Sequence, residues 1–194
     1  NIALVSDAGT PGICDPGEEV IKKCIELGIK IIPIPGACAM INSLICSGID
    51  TKEFTFLGFL PLNKKLRKKK LEEIEKSNKT IIIYEAPHRL TKTLKDLEKT
   101  LGDRPLTICR ELTKKYEDAV QTTIARAIEF YEENTPKGEF VLVIAGKEIS
   151  EIKEEEMQKW ESISIEEHME LYMNKGISKK DAMKLVAKDR GVSK

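Results

Sequence analysis

The sequence predicts an α/β fold built from strand–helix–strand units, and three observations carry that expectation. Short apolar runs, "IALV" at 2–5, "IKIIPI" at 29–34, "TIIIYE" at 80–85, "PLTICR" at 105–110 and "FVLVI" at 140–144, have the length of buried strands. Between several of them stand segments with apolar residues at helical spacing, of which Leu90, Leu94, Leu97 and Leu101 form the cleanest stripe. Turns rich in glycine, proline and aspartate join the two kinds of segment.

The first unit runs from the 2–5 strand through "SDAGTPGICDPG", residues 6–17, into a helix over 15–28. Asp15 is placed to cap, Pro16 suits the first helical position, Glu18 completes a capping-box spacing, and Gly28 stops the helix. With the 29–34 strand this makes a βαβ unit, which implies a right-handed crossover and a parallel sheet. A second helix over 36–48 opens on small residues, "EFTFLGFLP" is a strand or loop, and 62–77 is a charged helix. The 80–85 strand precedes the Leu90–Leu101 helix, and the 105–110 strand runs into a polar turn. A helix carrying Ile124, Ala127, Ile128 and Tyr131 then leads to the 140–144 strand. Residues 151–161 are expected to be a charged linker. Beyond it, Ser164 with Glu167 and Ser178 with Asp181 cap two helices around Gly176, a helix-turn-helix-like pair.

Bulk composition limits the function classes. With 41% hydrophobic residues, the 194-residue chain can build a core. The 32 basic and 32 acidic residues cancel, which argues against a generally cationic nucleic-acid binder but leaves local patches open. Cys14, Cys24, Cys38, Cys46 and Cys109 are odd in number and form no C-x-x-C pair, so reduced, mostly buried thiols of a cytosolic protein are expected, with no metal site and no disulfide framework. No apolar run approaches the ~18 residues of a spanning helix, so no membrane span is expected. The sequence opens almost directly in a strand-like run without an initiator Met, from which an upstream segment is expected.

Three strand ends carry more chemistry than a connection needs: residues 6–17, "YEAPHR" at 84–89 and "RELTKKYE" at 110–117. In open α/β sheets ligands bind outside the carboxyl ends of strands, so the three are expected to converge on one crevice. The first loop lacks the Gly-Lys-Ser/Thr of a P-loop and the G-x-G-x-x-G of dinucleotide folds. A backbone-lined site for a phosphate, or a neutral or cationic small ligand facing Asp7 or Asp15, both fit it. The run "KKLRKKK" at 64–70 places cations at a helix start, where the dipole disfavours them. That placement makes Lys64, Lys65, Arg67, Lys68 and Lys69 candidate RNA-backbone contacts.

Six stretches in order, "ALVSDAGTPGICDPG", "IPIPGACA", "FLGFLP", "YEAPHRL", "RELTKKYE" and "GEFVLVI", resemble the small-subunit ribosomal RNA methyltransferase I family of the tetrapyrrole methylase superfamily. The likeness runs to about Gly146, and the last ~30 residues are similar to that family's C-terminal extension. It implies a two-lobe α/β fold with S-adenosylmethionine in the inter-lobe cleft: residues 1–35 belong to the first lobe, 36–150 to the second, and 151–194 to the linker and extension. The family opens with a further α/β segment bearing its own cofactor loop, so a fragment lacking it is expected to have an incomplete cofactor site. The implied activity is 2′-O-methylation of a cytidine at the decoding centre of 16S rRNA, on naked RNA or the small subunit, by a cytoplasmic homodimer. A cousin acting on a small tetrapyrrole and a non-catalytic rRNA-binding fragment are the alternatives.

Carried onto this sequence, the cofactor-facing positions are Asp7, Ala8, Gly9, Thr10, Pro11, Gly12 and Ile13, then Cys38 and Ala39, Tyr84 and Glu85, Arg110, and Glu139, Phe140 and Val141. Thr10 stands where the superfamily has an acid. A 2′-hydroxyl gains from a base or a charge that stabilises its alkoxide, for which Glu85, Glu111 and Lys114 are the catalytic candidates, with His88 also in reach of the role. His88, Arg89 and Lys115 join the RNA-contacting set.

Overall fold

The computed structural model describes residues 2–7 and 9–192, which form two units, one ending at Gly146 and one starting at Lys147. In the first, strands β1 (Phe54–Phe59), β2 (Thr80–Glu85), β3 (Pro105–Arg110), β4 (Asp118–Thr123) and β5 (Phe140–Ile144) pair into one sheet in the order β1-β2-β5-β3-β4. β1 and β2 are parallel, and β5 lies between β2 and β3, antiparallel to both. The carboxyl ends of β1, β2 and β3 therefore share one edge, and β5 begins there. The sheet is mixed, which corrects the parallel expectation. The reason is β4: "DAVQTT" has no apolar run to announce a strand, yet it pairs antiparallel with β3 and reverses the chain before β5.

Period-two alternation then sorts the side chains. Ile81, Ile83, Leu106, Ile108, Phe140, Leu142 and Ile144 face helices α3 (Lys64–Glu75), α4 (Leu90–Leu101) and α5 (Ile124–Glu133). Ile82, Cys109, Val141 and Val143 face α2 (Ala39–Ser47). The predicted leucine stripe is the floor of the first core, with Leu90, Leu94 and Leu97 all at 0% exposure. α3 starts on Asn63, whose side chain accepts from the Lys65 and Leu66 N–H groups. That cap offsets part of the cost of cations in its first turn.

Two expected strands are absent. Residues 2–5 and 29–34 form no strand and pair with none among the described residues, and Ile2 and Ile34 are exposed at 101% and 81%. An apolar run becomes a strand only through lateral hydrogen bonds and a covered face. Helix α1 (Glu18–Glu26) forms between them with no buried residue, and the βαβ unit is not made. Its N-cap is Gly17 and not Asp15. Gly28 ends it as expected: at φ +66°, it lets Ile29 N–H reach the Cys24 carbonyl in a Schellman closure.

In the second unit the expected linker is helical, α6 (Ile149–Glu161), followed by α7 (Ile165–Met173) and α8 (Lys179–Asp189). Ser164 and Glu167 make the predicted capping box. Fully buried His168 holds the unit together: its ring stacks on Trp160 at 3.7 Å, and its Nε2 lies 3.3 Å from Asp189. Arg190 Nε donates to His168 Nδ1, which selects the neutral Nε2–H tautomer. Burial holds the imidazole below its usual pKa, with Asp189 pulling the other way. The unfolded chain therefore protonates first on acidification, and the unit loses stability as pH falls below about 6.5. Trp160 fluorescence is expected to report a lower melting temperature at pH 5 than at pH 7.5. A His168→Gln variant should lose that pH dependence.

Candidate functional site

A cleft of about 510 Å³ opens at the edge shared by the ends of β1, β2 and β3, within the range of small-molecule sites. One wall is the 6–17 loop. Thr10, Pro11, Gly12 and Ile13 form a β-turn closed by Ile13 N–H to the Thr10 carbonyl at 3.2 Å, with Gly12 at φ +81°. Proline and glycine at the two central positions are what a type II turn demands. The loop presents Asp7, Gly9, Thr10 and Ile13 to the cleft, while Pro11 and Gly12 do not line it; Ala8 lies outside the described residues. The Thr10 hydroxyl donates to the Ala37 carbonyl at 3.0 Å. Thr10 thus fastens this loop to the segment that carries Cys38 and Ala39, which also line the cleft.

The opposite wall comes from β2. Tyr84 points toward α2, and its hydroxyl accepts from Met40 N–H at 3.0 Å. Phe56 and Phe59 pack edge-on against its ring at 4.9 and 5.8 Å. Burial pushes the Tyr84 pKa up to about 12, so the phenol stays protonated and keeps its own O–H as a donor. Glu85, one residue on, alternates to the other face. Its carboxylate accepts from Ala86 N–H at 3.0 Å and from Thr93 Oγ1 at 2.5 Å, with Arg89 Nε at 3.3 Å. Glu85 lines the cleft, as expected, but it is 1% exposed and both carboxylate oxygens are taken by these partners, so it anchors the turn from beneath.

The third wall is a clasp between the 110–117 turn and β5. Glu111, at φ +51°, donates its N–H to the Glu139 carbonyl, and its Oε1 accepts from Glu139 N–H at 2.7 Å. Lys114 Nζ bridges Glu111 and Glu139 at 3.2 and 2.9 Å. A Cβ on Gly138, itself at φ +88°, would sit 2.7 Å from Glu111 Cγ, so only glycine fits beside the clasp. The Glu139 amide and Lys114 hold the Glu111 carboxyl below its usual pKa, and the two carboxylates hold Lys114 above its own. At neutral pH Glu111 is a weak base and Lys114 a fixed cation.

Several expected positions are placed elsewhere. Arg110 shares the face of Ile108 and Phe140, so it lines a separate groove with Tyr131 and Arg126. Arg67 does not face solvent: at 8% exposure its guanidinium bonds Asp96 at 2.7 Å and Thr93 at 2.9 Å, which removes it from the RNA-contacting set. Arg89 is likewise turned inward, donating to the Leu60 carbonyl at 2.7 Å and pairing with Glu85. Lys64, Lys65, Lys68 and Lys69 are exposed on α3, Lys68 within 3.6 Å of Glu72, and Lys115 is exposed over the Tyr116 ring. His88, in the 3-10 turn Pro87–Arg89, is exposed and lines the cleft, as do Phe140 and Val141. Phe59 and Asp15 are lining residues that sequence reasoning did not assign to a cofactor; for Phe59, its place at the end of β1 is the signal that would have found it. Among the described residues no group of His, Cys, Asp or Glu is arranged to hold a metal, and no helix is long and apolar enough to cross a membrane.

The profile of the Tetrapyrrole (Corrin/Porphyrin) Methylases matches residues 1–128. The chain belongs to this family. Methylase relatives named ribosomal RNA small subunit methyltransferase I are 48% identical in Bacillus subtilis and 49% identical in Halalkalibacterium halodurans, over 100% of this chain in each. The chain spans 66% of the length of both. The fold is that of solved methylases: the methyltransferase CobJ superposes with a TM-score of 0.55 at 16% identity, covering 71% of this chain and 62% of its own. The cobalt precorrin-4 methyltransferase CbiF gives 0.51 at 19% identity, over 70% and 60%.

Proposed function

We infer that the protein containing this chain methylates the 2′-hydroxyl of a cytidine ribose in 16S rRNA at the decoding centre, using S-adenosylmethionine. The observation that carries this reading is near-50% identity along the whole chain to proteins named for small-subunit rRNA methylation. The finer details of ribose, cytidine and decoding centre, and of action as a cytoplasmic homodimer, rest on the sequence resemblance.

The cleft chemistry fits a sulfonium nucleoside. Asp7 and Asp15 offer negative charge, Gly9 offers bare backbone, and Tyr84 with Phe59 offers aromatic surface. When bound, the cofactor supplies an already activated methyl group, so the protein's task is mainly to orient the acceptor. Lys114, kept protonated by Glu111 and Glu139, stabilises negative charge developing on a ribose oxygen. With Glu85 committed to the turn and Glu111 held ionised by its partners, His88 is the side chain placed to take the proton. The exposed lysines of α3 serve phosphate contact. In the full-length protein, His88→Ala is expected to slow methyl transfer about 100-fold with unchanged thermal stability. Transfer at the wild-type rate would remove His88 from this role. The substrate is tested by primer-extension mapping of ribose methylation on small-subunit RNA from cells lacking the gene. One lost stop at the decoding centre is expected, and an unchanged pattern refutes the assignment.

A further inference from the structure

Outside the cleft, two thiols lie close enough to react with each other. Cys46, in the last turn of α2, has its sulfur 3.7 Å from that of Cys109 in β3. Cys109 is fully buried on the α2 face of the sheet, in the cluster of Leu44, Ile82 and Val141, whereas Cys46 is exposed, as is Cys14, which corrects the expectation of mostly buried thiols. The backbone around Cys46 is held from two strands. Thr107 Oγ1 donates to the Ser47 carbonyl at 2.9 Å, and Gln121 Nε2 donates to the Cys46 carbonyl at 3.0 Å. A disulfide requires the sulfurs to approach to about 2.05 Å, so oxidation draws the two together from the 3.7 Å of the reduced pair.

We propose that Cys46 and Cys109 are a reversible dithiol–disulfide pair, with Cys46 as the sulfur that an external peroxide reaches. The Cys46 thiolate attacks one peroxide oxygen, the O–O bond breaks, and the departing oxygen leaves as water after taking a proton, giving a sulfenic acid. The Cys109 sulfur then attacks the Cys46 sulfur. The S–O bond breaks, and the expelled hydroxide takes the Cys109 proton as a second water. Two thiols lose two electrons in all, and one peroxide becomes two waters.

The asymmetry of the pair assigns these roles. Burial, and then the neighbouring Cys46, push the Cys109 thiol far above its usual pKa, so it is a poor first nucleophile and is shielded from solvent oxidants. The exposed Cys46 sulfur is also the one a reducing thiol can attack, which makes the bond reversible. α2 links this pair to the cleft: its first residue, Ala39, lines the cleft, and Met40 N–H donates to Tyr84. The oxidised form fastens the far end of that helix to the sheet and closes a loop between positions 63 apart.

The test uses the whole chain treated with hydrogen peroxide, alkylated and digested without reductant, then analysed by mass spectrometry. A Cys46–Cys109 cross-linked peptide that dithiothreitol abolishes is expected, with Cys14, Cys24 and Cys38 recovered as alkylated thiols. The oxidised chain should melt several degrees higher than the reduced chain, a shift absent in Cys46→Ser. Oxidation of Cys46 to the sulfinic acid with Cys109 still reduced would overturn the proposal, as would pairing of Cys46 with any other cysteine.

Discussion

Glu85→Ala is expected to lower the stability of the first unit by about 3 kcal/mol, the loss typical of breaking a buried ion pair. The cause is the network under β2. Glu85, 1% exposed, accepts from Thr93 and pairs with Arg89, while Thr93 also accepts from the buried Arg67. Removing the carboxylate leaves the Arg89 guanidinium with the Leu60 carbonyl and no paired carboxylate, and takes from Thr93 the acceptor of its hydroxyl, while Arg67 keeps Asp96. Differential scanning calorimetry reads the effect as a lowered transition temperature. Glu85→Gln, which keeps the shape and loses the charge, should fall between the two. A Glu85→Ala chain that melted like wild type while losing methyl transfer would restore Glu85 as a catalytic group.

Gly146→Ala is expected to cost about 3 kcal/mol, the upper end of overpacking penalties. A Cβ there would lie 2.2 Å from both the carbonyl carbon and oxygen of Asn78, and 2.7 Å from Lys79 N. These are backbone atoms leading into β2, so no rotamer change relieves the clash. Either the 145–147 segment or the entry to β2 must move, and β2 pairs with both β1 and β5. Hydrogen exchange at the β2 and β5 amides should quicken by about two powers of ten if opening follows the lost stability. Unchanged protection would show that this close approach is not a constraint.

The second half of the first unit and the two capped helices of the second were legible in the sequence because their signals are local. The leucine stripe of α4, the apolar runs of β2, β3 and β5, and the Ser164 and Ser178 caps each depend on a few neighbouring residues. β4 was not legible, since "DAVQTT" becomes a strand only through pairing with β3, and missing it also cost the strand directions. Residues 2–5 and 29–34 mislead in the opposite way: β-forming composition is present, but the hydrogen-bonding partners are not among the described residues. The cleft followed from strand-end logic, whereas the sides of Glu85, Arg110 and Arg67 did not. Strand alternation settles the first two once Tyr84 and Cys109 are known to face α2. Arg67 is hidden within a run of lysines, and only the packing of α3 on α4 singles it out.

We place the methyl donor in the cleft between the 6–17 loop, Tyr84 and the Glu111–Lys114–Glu139 clasp. Hydrogen exchange of the full-length protein, with and without S-adenosylhomocysteine, tests it most directly. Slowed exchange is predicted in residues 9–15, 38–40, 84–88, 111–114 and 139–141 together, with the second unit unchanged. Binding that protects other segments and leaves these untouched would contradict it.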